Sequence, residues 1–173
     1  NYLISDKKKN IEIIKKFFLN NNKIKVGISW KSVGAIYGKL KSLNLNDFND
    51  LFKKDHDFFN LQYGDSRKDI EESQNKNLQI HTFDEIDLFN DIDSCMSILQ
   101  NLDALVTISN STAHIAGAMG IKTILICPKT SSTYFYWSNE NGSTPWYSNV
   151  KILKVSGSIK KTIDEVNNIL DQI

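Results

Sequence analysis

Short apolar runs alternate along this chain with segments whose apolar residues recur every three or four positions. The runs IKVGISW (24–30), DFFNLQY (57–63), LQIHTF (78–83), ALVTIS (104–109), TILIC (123–127) and VKILKV (150–155) predict strands. ALVTIS and TILIC are β-branched with almost no polar alternation, as in strands covered on both faces. Helical rhythm predicts helices over KKKNIEIIKKFFLNN (7–21), LNDFNDLFKK (45–54), DIDSCMSILQNL (91–102) and the tail from Ser158 to Ile173. In the second of these, Leu45, Phe48, Leu51 and Phe52 fall at i, i+3, i+6 and i+7; SRKDIEESQ (66–74) reads as a polar helix or turn.

Strand and helix in repeated alternation predict an α/β protein. The expected form is a Rossmann-like, doubly wound parallel sheet of about six strands with helices on both faces. Residues 1–22 read as a linker helix and 23–173 as one domain; 173 residues suffice for a full core but are short for two. There is no internal repeat. The one long irregular stretch is 128–149, rich in Ser, Thr, Asn, Gly and aromatics, and loops of that length are usually functional or disordered.

Composition narrows the function classes. A hydrophobic content of 40% and a charged content of 24% exclude wholesale disorder. A net charge of +1 supplies no strong overall field for nucleic acid or an anionic membrane. No apolar run approaches the ~18 residues of a membrane span, and no secretion signal is visible. Cys95 and Cys127 lack CxxC or Cys/His spacing, so buried free thiols in a reducing, cytoplasmic setting are expected. The start at Asn1, without methionine, reads as a piece of something longer.

The candidate chemistry is concentrated in ISNSTAHIAGAMG (108–120), between an apolar strand and an alanine-rich helix. Ser109 closes the strand, Asn110 is a good N-cap for a helix from Ser111 to Met119, and Gly120 is its stop. The N–H groups of Ser111, Thr112 and Ala113 then become donors at the positive end of a helix dipole, where phosphate binds readily. The alternative is plain capping, with His114 a first-turn surface histidine. Ala116, Gly117 and Ala118 are small enough to let the helix lie close on the sheet.

A second glycine-bearing turn, GISWKSVGAIYGKLKS (27–42), fails as a P-loop: three residues separate the relevant glycines, and Leu40 stands where magnesium needs Ser or Thr. It leaves Ser29, Trp30 and Lys31 at a strand end, with Lys39 and Lys41 in the loop beyond. If this strand neighbours ALVTIS, a lysine can reach an anion at the 109–114 turn; otherwise the lysines face solvent and Trp30 packs on the first helix. Asp91 and Asp93 suit the first turn of a helix better than a metal site.

ISNSTAHIAGAMG, VGISW, FFNLQYGD (58–65) and YFYWSNENGSTPWYSNVKIL (134–153) together resemble, in order and spacing, blocks of the family 9, heptosyltransferase-like glycosyltransferases. The nearest likeness is the version at the C-terminus of bacterial tetratricopeptide-repeat proteins. The resemblance runs from Lys25 to Leu153. It implies the C-terminal, nucleotide-sugar-binding half of a GT-B enzyme, which packs against an N-terminal acceptor half absent here.

By the same resemblance, Ser109, Asn110, Ser111, Thr112 and His114 match the donor-diphosphate turn. Ser29, Trp30 and Lys31 match the first-strand loop, and Lys39 or Lys41 the phosphate-reaching base. Trp137, Pro145, Trp146 and Tyr147 match an aromatic block near the nucleotide or sugar. Neither metal nor cofactor is implied beyond the donor substrate. Ser109 replaces the usual Asp, and Phe135–Tyr136 replace Trp-Arg, so the donor's identity stays open. A nucleotide-binding or scaffold module without turnover is the second reading. A nicotinamide oxidoreductase fits poorly because no GxGxxG follows a strand.

Overall fold

The computed structural model describes residues 2–18, 21–33, 37–73, 78–128, 135–137 and 141–173. Six parallel strands form a single sheet: β1 (Lys25–Ile28), β2 (Asp57–Asn60), β3 (Ile80–His81), β4 (Ala104–Ile108), β5 (Thr123–Cys127) and β6 (Val150–Lys154). Their spatial order is β3-β2-β1-β4-β5-β6. The helices are α1 (Lys7–Phe17), α2 (Gly38–Lys41), α3 (Arg67–Glu71), α4 (Ile92–Leu99), α5 (Ser111–Met119) and α6 (Ile159–Leu170). This is the doubly wound α/β architecture that the alternation predicts.

Side chains alternate between two cores. On one face Val26, Ile28, Phe58, Val106, Ile124 and Ile126 pack with Trp30 and with Ile163, Val166 and Leu170 of α6. On the other, Phe59 and Leu105 meet Ile13 of α1, Ile98 and Leu99 of α4, and Ala116 and Met119 of α5. Near β6 a third cluster joins Leu125, Cys127, Val150 and Ile152 to Ala113 and Trp137. Both cysteines are buried free thiols.

Several boundaries differ from the sequence pattern. The helical rhythm of 45–54 resolves into two 3-10 turns, Leu45–Phe48 and Leu51–Lys53, the first opened by a capping box between Asn44 and Asp47. LQIHTF keeps two residues in the sheet, as β3 is an edge strand paired only to β2. Trp30 packs on the α6 face, away from α1. The segment before β1 lies on the domain: α1 rests against α4, and the Tyr2 and Leu3 amides donate to Ala118 O at 2.7 and 3.2 Å. Expectations for Gly34 and for residues 19–20, 74, 134 and 138–140 lie outside the described residues.

Candidate functional site

Strand order reverses between β1 and β4, so the crevice beyond their carboxyl ends is the topological switch point of this sheet. The loop after β1 therefore does face the 109–114 turn.

Asn110 joins β4 to α5. Its backbone is extended (φ −146°, ψ 179°), and its Oδ1 accepts the Ala113 N–H at 3.1 Å. Its Nδ2 donates to Ser29 Oγ at 2.9 Å, the Ser29 and Thr107 hydroxyls stand 2.6 Å apart, and Thr107 Oγ1 lies 3.3 Å from Asn110 Oδ1. All three side chains are buried. They tie the ends of β1 and β4 to the start of α5.

The Asn110 side chain is thus committed to internal bonds. It also consumes the Ala113 amide, one of three donors the sequence offered. The Ser111 and Thr112 amides are left without acceptors inside the helix, as geometry requires of a first turn. Ser111 is exposed, whereas Ser109 and Thr112 are buried.

His114 projects from the first turn into an aromatic group. Its Nδ1 is 3.2 Å from Tyr147 Oη, and its ring centroid lies 4.7 Å from Trp137 and 5.1 Å from Tyr136. Burial, with a contribution from the Lys41 charge, holds its pKa below the usual 6.5. The Tyr147 ring sits on Gly117, where a Cβ would come within 2.6 Å of it. Gly117 is small to admit Tyr147, a different use from the close sheet contact its position suggested. Trp137 is fully buried and its Nε1 has no partner among the described residues; Trp146 is exposed.

The three candidate lysines separate. Lys31 pairs with Asp69 of α3, which also accepts the Trp30 indole N–H at 3.0 Å. Lys39 is exposed and makes no ion pair among the described residues. Lys41 is buried, at 9% exposure, and its charge acts on both His114 and Cys127. Burial lowers the Lys41 pKa and pushes the Cys127 thiol up to about 12. Of the three, Lys41 is the cation whose charge acts on His114 in the first turn of α5.

A cavity of about 480 Å3 opens beyond β2 and β3, lined among others by Asn60, Gln62, Asp65, Arg67, Asp84 and Asp87. Gln62 Oε1 accepts the N–H groups of Trp30 (3.0 Å) and Lys31 (2.6 Å), which joins this cavity's wall to the β1 loop. Asn60 Nδ2 donates to Ser66 Oγ at 2.8 Å. Sequence reasoning nominated none of Asn60, Gln62, Asp69 and Thr107. The polar Asn and Gln interrupting the apolar run FFNLQY were the available signal. Asp91 caps α4, accepting from Ser94 N at 2.9 Å. Among the described residues no three His, Cys, Asp or Glu cluster as a metal site.

The chain superposes on ADP-heptose lps heptosyltransferase II from E. coli with a TM-score of 0.65 and 13% identity, covering 98% of this chain and 53% of that one. It superposes on a family 9 glycosyltransferase from Veillonella parvula at 0.63 and 11% identity, covering 99% and 46%. The fold is that of the family 9 glycosyltransferases. The chain spans about half the length of each solved relative. Protein FlbA of Caulobacter vibrioides is 28% identical over 139 residues, covering 73% of this chain and 21% of that protein. No family model matches the sequence.

Proposed function

We propose that this chain is the donor-binding half of a metal-independent glycosyltransferase that takes a nucleotide-diphosphate sugar. One observation carries the reading: the N-terminus of α5 lies at the switch point of the sheet, and the charge of the buried Lys41 acts on His114 in its first turn. The Ser111 and Thr112 amides and the Lys41 ammonium supply donors and positive charge for a diphosphate, with His114 beside them. The nucleoside falls to the cavity at β2 and β3. Among its described lining residues that cavity carries Asp65, Asp84 and Asp87 against one cation, Arg67, so it repels phosphate and accepts hydrogen bonds from ribose hydroxyls or base N–H groups.

In transfer, an acceptor oxygen attacks the anomeric carbon as the bond to the leaving phosphate breaks. Negative charge develops on the diphosphate, and preorganised amides and Lys41 stabilise it. This reading assigns none of residues 1–173 to the acceptor or to the uptake of its proton. A binding module without turnover uses the same site, so binding alone does not separate the two; turnover by a longer protein does.

Calorimetric titration with UDP, GDP, ADP, CDP and dTDP tests the reading. The expected result is saturable binding of one nucleotide, lost in the double variant Lys41→Met/His114→Ala. Absence of binding by all five overturns it for this chain.

A further inference from the structure

A net charge near zero conceals an uneven surface. Helix α1 holds five lysines, Lys7, Lys8, Lys9, Lys15 and Lys16, against Glu12 and its N-cap Asp6. Lys9 is paired with Asp91 and Lys16 with Glu85; Lys7, Lys8 and Lys15 are exposed and make no ion pair among the described residues. Asp6 is the N-cap of α1, accepting from Lys9 N at 2.8 Å.

Along α1 and the residues just before it, apolar side chains are also left exposed. Tyr2 and Ile4 are each 80% exposed, Ile11 53% and Ile14 40%. At 100° per residue, Ile14, Lys7, Ile11, Lys15 and Lys8 fall within an arc of about 120° on α1. Ile13 is buried and Phe17 half-buried on the opposite side, against α4. The helix therefore has two apolar faces. One belongs to the core, and the other is interleaved with lysines that make no ion pair among the described residues.

We propose that this outer face of α1, with Tyr2 and Ile4, docks the domain on an anionic lipid surface. Charge selects the partner: cationic heads attract acidic headgroups while isoleucines and a tyrosine enter the boundary between headgroup and chain. The apolar residues project singly from a convex helix, with lysines between them. A fluid bilayer accepts that arrangement without a matching shape, whereas a protein partner needs a continuous complementary surface. No described helix is long and apolar enough to cross a membrane, so the contact is peripheral. The inference is independent of what the switch-point crevice binds.

Cosedimentation with vesicles decides it. The chain is expected to sediment with vesicles containing phosphatidylglycerol, to stay in solution with pure phosphatidylcholine, and to be released by salt. Lys7→Glu/Lys8→Glu/Lys15→Glu is expected to weaken binding at least about tenfold. Ile11→Ser/Ile14→Ser is expected to weaken it with the salt dependence retained. These side chains are exposed, so circular dichroism should show unchanged folding in both variants. Sedimentation that does not depend on phosphatidylglycerol, or that survives the charge reversal, overturns the proposal; so does failure of the unaltered chain to bind either vesicle.

Discussion

Asn110 Nδ2 donates to Ser29 Oγ at 2.9 Å, across the two strands that flank the switch point. With its Oδ1 capping α5, one side chain fixes where the helix begins relative to the loop after β1. Replacing it removes a cap and a buried bond together. Asn110→Ala should lower stability by about 1–3 kcal/mol in urea unfolding. Asn110→Asp keeps the capping acceptor, loses the Nδ2 donor, and should fall between Ala and the unaltered chain.

Gly117 and Tyr147 supply a steric test. A Cβ at 117 meets the tyrosine ring at 2.6 Å, inside any tolerable contact. Gly117→Leu should destabilise by about 1–3 kcal/mol, and it should displace Tyr147 from His114. Thermal melting measures the first effect; a changed pH titration of the His114 ring protons measures the second.

The lysines should divide in binding as they do in placement. Lys41→Met should weaken nucleotide binding at least about tenfold, the scale of losing one charge-assisted bond. Lys39→Met should change it less than about twofold, because exposed charges contribute little. Equal effects of the two would place the anion elsewhere.

His114 sets a pH dependence with a definite sign. Its folded pKa lies below the 6.5 of the unfolded chain, so between those values the unfolded state binds the extra proton. Stability from this residue is present above about pH 6.5 and is lost as pH falls toward the folded pKa. Acidification through this window should therefore cost the unaltered chain more stability than His114→Ala. Chemical denaturation of both at stepped pH checks it.

Much of this architecture is written in the sequence because its signals are local. Unbroken β-branched runs mark β4 and β5, and Asn110 and Gly120 bracket α5 at the residues expected, Gly120 in the left-handed conformation at φ 79°. What stayed hidden depends on side chains meeting from distant segments. Nothing local to Thr107 or Ser29 says that they close on Asn110. Gln62 gains its role only when β2 lies beside β1. Three lysines looked equivalent until Asp69 took Lys31 and α2 turned Lys41 inward.

The most direct test of the central claim is to follow backbone amides by 15N–1H NMR while adding the nucleotide that titration selects. A diphosphate seated on α5 predicts the largest shifts at Ser111 and Thr112, with accompanying changes at Gly64, Ser66 and Asp84 around the cavity, and loss of the first set in Lys41→Met. Saturable binding that leaves Ser111 and Thr112 unmoved would contradict the account.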